Sequence, residues 1–340
     1  MALIFMDGFD LYGSIADMDV AGWGAAVGAP TITTVGGRYN GGAVRAVDAE
    51  NVTHAYGGGD STTVVQFWFF LESLSTTEAV VELSSSSEGG GDSVRVEVTQ
   101  AGAVLLRDTN GSIVTQTVDG IVLLRGWHYL EFKVSSAGAS AACVVRIDGA
   151  EVINETGVDT GSAPSNLLLI GRPGGARFDD IVLMDGTGTR LNDFLGVTRI
   201  STLLPLGAGT KTAGWESTPD AEDYLAVDDP VAGAHDGDGS YIEATEKNTY
   251  TRFTTEFAEA ASSVHAVAVA CTRRHNSAED KAYIRQTVRS AGQAQNGSDE
   301  LLPPTYETSR MLLEVDPNGG LDWTQQAVDG LVFGVEHRGT

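Results

Sequence analysis

The sequence predicts an all-β protein built from two β-sandwich, jelly-roll domains, the second smaller and carrying one short helix. Three observations predict it. From Gly126 to Asp185 apolar and polar residues alternate with a period of two, and a turn marks each joint. Glycine is abundant, 42 of 340 residues, with only 9 prolines and no Gly-X-Y period, which signals many tight turns and neither collagen nor disorder. A chain of this length also exceeds one ordinary sandwich and suits two domains.

In order along the chain, Leu3–Phe5 reads as a first strand and Asp7-Gly8-Phe9-Asp10 as a turn. Trp23 follows in a Gly-rich segment. GGRYN (residues 36–40) and Gly41-Gly42 are turn chemistry on either side of Arg38 and Tyr39, and AVRAVD is a short strand. TTVVQFWFFL, residues 62–71, is apolar on both faces: Val65, Phe67, Phe69 and Leu71 on one, Val64, Gln66, Trp68 and Phe70 on the other. Such a strand is expected to be central and covered on both sides. Strands follow at 79–83, 94–98, 104–107 and 112–117, parted by Ser/Gly-rich or Asn110-Gly111 turns. Gly57–Gly59 and Gly89–Gly91 read as loop tips, because neither opens a helix.

In WHYLEFKV, residues 127–134, His128, Leu130, Phe132 and Val134 form the apolar row. CVVRIDGAEVIN is a hairpin whose Asp148-Gly149 supplies the positive φ angles of a tight turn. LLLIG and FDDIVLMD follow as buried strands. The expected core rows contain Val65, Phe67, Phe69, Leu130, Phe132, Val144, Leu168, Ile170, Ile181 and Leu183. Residues 1–190 form the first sandwich. Residues 191–207 read as a crossover connector, a helical turn at Asn192–Leu195 and then a strand. Residues 208–340 form the second sandwich.

From Glu216 to Glu246 the chain carries acidic residues and no Lys or Arg, with Pro219 and Pro230, which reads as a solvated, loop-rich approach to the second domain. Strands are expected at 250–253, 264–271, 283–288 and 310–315. Asp322 with Gln325 reads as a capping box, so Trp323–Asp329 is the one short helix; Gly330 ends it and residues 331–335 close the domain.

Catalytic chemistry is not visible. A glycosidase on such a sandwich needs two spaced carboxylates on one face. Glu97, Glu151 and Glu155 lack that arrangement, so no enzyme activity is expected. The six His are singles without zinc-site spacing, and His128 and His265 read as structural residues within strands. Asp236-Gly237-Asp238-Gly239-Ser240 starts like an EF-hand loop, but Lys247 stands where the bidentate Glu belongs and no helices flank it. Calcium remains the candidate cation, with none required. First and last strands of a closed sandwich are neighbours, so Asp7 and Asp180 could meet and offer hard oxygen ligands. Loop aromatics are the candidates for stacking on sugar faces: Trp23, Tyr39, Tyr56, Trp215 and Tyr224.

The net charge of −25 repels phosphate backbones and anionic membranes, so neither nucleic acid nor membrane insertion is expected. The two cysteines, Cys143 and Cys271, fall in different expected domains, and a disulfide between them is not expected. MALIFMDGFD has no basic n-region and turns acidic after a very short apolar run, so it reads as neither signal peptide nor anchor.

MALIFMDGFDLYGSIADMDVAGW, GGRYNGGAVRA, GWHYLEFKV, VVRIDGAEV and FDDIVLMDGTGTRLNDFLG, in that order over the first half, resemble bacteriophage tail proteins with a concanavalin-A-like (laminin-G-like) domain. DPNGGLDWTQQAVDGLVFGVE is similar to the C-terminal sandwich of such proteins. The resemblance implies a virion component assembled in the host cytoplasm: a tail fibre, a tail-tip adhesin or a surface decoration. It implies other virion proteins as partners, a homotrimer, and host-surface glycan as the ligand of an adhesin. An architectural decoration or spacer, a glycan depolymerase and a cellular lectin-like protein are the alternatives.

Overall fold

A computed structural model describes residues 2–46, 50–57, 62–85, 92–135, 138–161, 165–171, 175–219, 222–229, 236–257, 260–276 and 282–339. Expectations for Val47, Asp48, Gly58, Gly59, Gly89–Gly91 and Pro230 lie outside the described residues. The chain is all-β. Two compact units divide it, Met1–Ser201 and Thr202–Thr340, and the described α-helix is confined to Ile15–Val20 and Gln325–Asp329.

The first unit packs two antiparallel sheets. One has eight strands, in the order Ala150–Val158, Ala141–Ile147, Trp127–Ser135, Thr62–Leu71, Ala176–Asp185, Ala43–Ala46 and Thr31–Thr33, with Leu3–Asp7 also on Ala176–Asp185. The other has seven, in the order Ile113–Gln116, Val104–Arg107, Ser93–Val98, Glu78–Ser84, Leu167–Gly171, Asn51–Ala55 and Trp23–Val27. Period-two alternation sends one face of each sheet into a shared core. Val65, Phe67, Phe69, Leu130, Phe132, Ile181 and Leu183 enter it from the first sheet, and Val81, Leu83, Val96, Leu168 and Ile170 from the second. The expected Asp148-Gly149 turn is present, with φ of 52° and 81°.

Three local expectations are corrected. Val144 is only half-buried, because its strand points Cys143, Val145 and Ile147 inward; the phase is set by Arg146, which shares the outer face with Val144. Ile15–Val20 is a helix that the apolar pattern did not indicate. Ser14 accepts from the Asp17 amide while Asp17 accepts from the Ser14 amide, a complete capping box.

The third correction concerns residues 191–206, which contain neither the helical turn nor the strand. Residues 191–201 run as a strap over the outer face of the eight-stranded sheet, and side chains beneath take up their backbone groups, whereas Leu204 O and Leu206 N already bond to Thr255 and Thr254 of the second unit. Leu195 N donates to Gln66 Oε1 (3.2 Å), Gly196 N to Glu131 Oε1 (3.0 Å) and Ile200 N to Asp180 Oδ1 (2.8 Å). Trp68 Nε1 donates to Thr198 O (3.0 Å), and the Tyr129 and Thr198 hydroxyls lie 2.6 Å apart. Backbone bonded in this way has no need of a strand partner.

The second unit has its own core, formed by Val269, Val288, Met311, Leu313, Trp323, Val328 and Leu331. Its main sheet has six strands, including Thr249–Thr254, Val332–Arg338 and Tyr283–Ser290, and Val267–Arg273 pairs separately with Glu307–Leu313. The helix starts later than expected. Thr324 is its N-cap and accepts from the Ala327 amide, while Trp323 donates its indole N–H to Leu313 O. His265 precedes the strand Val267–Arg273 and is not part of it. The acidic stretch closes on itself as a two-stranded ribbon, Trp215–Thr218 with Tyr241–Ala244. Asp236 is held by Ser240, and Asp238 by Arg274 and Tyr306.

Candidate functional site

Thr62–Leu71 is only partly covered on its outer face. The strap buries Gln66 and Trp68, but Phe70 lies beyond it and is half-buried. Strand register extends Phe70 into a row: Thr31, Arg45, Arg177, Phe70 and Trp127 are successive cross-strand partners over five strands. Their chain neighbours Val44, Ala46, Ala176, Phe178, Phe69 and Leu71 are buried on the core side, so the row itself faces outward. The Arg177 guanidinium lies 4.8 Å from the Phe70 ring centroid, and the Phe70 and Trp127 rings are 5.7 Å apart at 54°.

Next to this row stands a second group. Arg38 lies 5.0 Å from the Tyr39 ring and 4.7 Å from that of Trp68, two residues before Phe70 on the same face. Arg199 of the strap lies 4.3 Å from Tyr39 on another approach. The loop carrying Arg38 and Tyr39 is drawn tightly inward: a Cβ on Gly37 would sit 2.4 Å from Gly42 O and 2.6 Å from Asp179 Oδ2. Only glycine fits there. Among the described residues these groups make an outward-facing platform of aromatic rings and guanidinium groups at one end of the sheet.

Tyr39 is the sequence candidate that belongs to this platform, at 37% exposure. Trp23 is buried in the core, where its indole N–H binds Asp7, and Tyr56 and Trp215 are buried as well. Tyr224 is half-buried in the turn Asp223–Ala226 of the second unit. Sequence reasoning missed Arg45, Phe70, Trp127 and Arg177. The available signal was the single outward side chain in V-R-A, F-F-L and A-R-F, but which outward residues become neighbours is fixed by register.

The first and last strands of this sandwich do pair, with Asp7 opposite Ile181. Asp7 receives Phe9 N (2.9 Å), Tyr12 Oη (2.5 Å) and Trp23 Nε1 (2.9 Å). Asp180 occupies a bulge at φ 54°; its Oδ1 accepts from Ile200 and its buried Oδ2 has no hydrogen-bond partner among the described residues. Burial, and then the Asp179 charge beside it, hold its carboxyl well above the usual range. Burial likewise pushes Asp179 up to about 7, with Asp10 adding to the rise against the lowering effect of the Arg38 amide. Among the described residues no group of three or more His, Cys, Asp or Glu is arranged to hold a metal ion. Glu97 is held by two arginines, Arg95 Nε at 2.8 Å and Arg107 Nε at 2.6 Å, which occupy both carboxylate oxygens. His128 is buried between Asp148 and Leu123, a structural role.

No known family matches the chain, and no curated protein matches it. Solved structures with a similar strand arrangement include domain 4 of an extracellular arabinanase from Geobacillus stearothermophilus in complex with arabinotriose (15% identity, 54% of this chain and 92% of that one, TM-score 0.38). Lectin II from Ulex europaeus is another (9% identity, 53% and 97%, TM-score 0.39). A sialidase from Trypanosoma rangeli is a third (11% identity, 54% and 30%, TM-score 0.38). Lectins and glycan-active enzymes both occur among these neighbours. At such identities neither a ligand nor an activity carries over, and none of the three is a phage protein.

Proposed function

We propose that this chain is a non-catalytic, glycan-binding component of a bacteriophage particle, acting in adhesion to the host surface. The observation that carries the binding half is the uncovered end of the eight-stranded sheet, where Trp127, Phe70 and Tyr39 stand beside arginines. Sugar rings present C–H faces that stack on aromatic rings, and their hydroxyls take hydrogen bonds from guanidinium groups. We read this platform as a binding surface because it is built of aromatic rings and guanidinium groups. The phage half is supported by the resemblance of the LIFMDGFDLY opening and the segments that follow it. A virion part presenting several copies multiplies a weak site through effective concentration, and a homotrimer suits that role.

A glycan array probed with the purified chain tests the reading. Binding that fails in Trp127→Ala supports it, and no binding to any glycan overturns it. Reducing-sugar release from host polysaccharide would place the chain among depolymerases, and tight association with isolated capsids in the absence of glycan binding would make it a decoration protein.

A further inference from the structure

Two arginines dominate the outward-facing row, and their placement is unfavourable by itself. Arg45 and Arg177 are direct cross-strand partners in an antiparallel pair, and like charges directly opposite each other destabilise a sheet. Both are half-buried on the outer face. Among the described residues neither forms an ion pair, in a chain with 46 acidic side chains against 21 basic ones. The Arg177 guanidinium lies over the Phe70 ring. Among the described residues no acidic side chain neutralises this pair. Elsewhere in the same unit Arg95 and Arg107 share Glu97.

We infer that Arg45 and Arg177 form a carboxylate-binding subsite on the aromatic platform, so that the ligand is an acidic glycan bearing uronic- or sialic-acid-type carboxylates. The inference rests on the glycan-binding reading and narrows it. A guanidinium group presents two parallel N–H donors that match a carboxylate, and these charge-assisted bonds are the strong ones. Phe70 and Trp127 follow in the same row, so a sugar whose ring stacks on the aromatics extends its acid group towards the arginines. A ligand carboxylate also relieves the repulsion between Arg45 and Arg177. Double-stranded nucleic acid is disfavoured as the occupant, because the chain is strongly acidic as a whole and the row contributes two cations only.

The test is affinity electrophoresis of the full chain through gels containing polygalacturonate, dextran sulfate or neutral dextran, with soluble DNA as competitor. Polygalacturonate is expected to retard the chain and neutral dextran to retard it far less. Arg45→Thr should weaken the polygalacturonate effect by at least about tenfold while leaving Tm unchanged or raised, since it removes a like-charge pair. Arg177→Lys, which keeps the charge and loses the fork, should weaken it less. If neutral and acidic gels retard the chain equally, and Trp127→Ala removes the effect while the arginine variants do not, the glycan reading stands and the carboxylate subsite is overturned. If dextran sulfate and DNA act like polygalacturonate and Trp127→Ala has no effect, the row is a general anion patch and the inference falls. Retardation by no gel, with glycan binding seen on an array, overturns the acidic preference; absence of both overturns the parent reading.

Discussion

At the residue scale, Asp179 and Asp180 make stability depend on pH in a direction opposite to that of salt-bridged carboxylates. Burial raises Asp179 from 3.8 to about 7 in the folded chain, and Asp180 is raised well above its ordinary value. The folded state therefore binds protons more tightly than the unfolded chain. The stabilisation is fully present below pH about 4 and is lost as pH rises through 7. The first unit is expected to melt at a higher temperature at pH 5 than at pH 8. Asp180→Asn should raise Tm at pH 8 and flatten this dependence, because asparagine keeps the acceptor for Ile200, tolerates the positive φ and carries no charge. A Tm that climbs steadily from pH 5 to 8 contradicts the account. The calcium expectation is read in the same melts. A cation held by Asp180 would raise Tm at pH 8 on calcium addition and lower it with EDTA, and Asp180→Ala would remove the response; curves that do not move discard that expectation.

At the element scale, the strap over the sheet is the feature that shapes the site, because it covers Gln66, Trp68, Tyr129 and Glu131 and stops short of Phe70. Its amides should be protected against hydrogen exchange although the segment is neither helix nor strand. Leu195, Gly196 and Ile200 are expected to exchange slowly, and Gln66→Ala should speed Leu195 and cost about 1–3 kcal/mol by leaving that amide unpaired. Fast exchange at all three amides would mean that the strap does not cover the sheet. The strands were legible because alternation is a local signal: Thr62–Leu71 was recognisable from ten consecutive residues, and Asp148-Gly149 from two. The strap was not, since its partners lie up to 130 residues away and are side chains. Gln66 and Glu131, polar residues amid aromatics on one face, were the trace it left in the sequence. The outward-facing row was illegible for a related reason. Arg45, Phe70, Trp127 and Arg177 belong to four strands, and long-range register makes them neighbours. Val144 was misplaced because Cys143, Val144 and Val145 are all apolar, so that Arg146 alone sets the phase of the strand.

At the scale of the whole molecule, all the platform residues lie within Met1–Ser201, while Thr202–Thr340 forms a separate core. Light scattering of the full chain is expected to give a homotrimer, the state the adhesion proposal calls for, and a strict monomer would favour decoration. If the outward end of the eight-stranded sheet is where the glycan lies, the five tryptophans report on it independently. Trp127 stands in the platform, Trp68 lies at its edge under Arg38, Trp23 is in the core of the first unit, and Trp215 and Trp323 belong to the second. The most direct measurement follows the five indole N–H resonances by NMR while an acidic oligosaccharide is titrated in. The expected result is a saturable shift of Trp127, a smaller one of Trp68, and no change at Trp23, Trp215 or Trp323. A still Trp127 with a saturable shift at Trp215 or Trp323 would place the ligand elsewhere and contradict it.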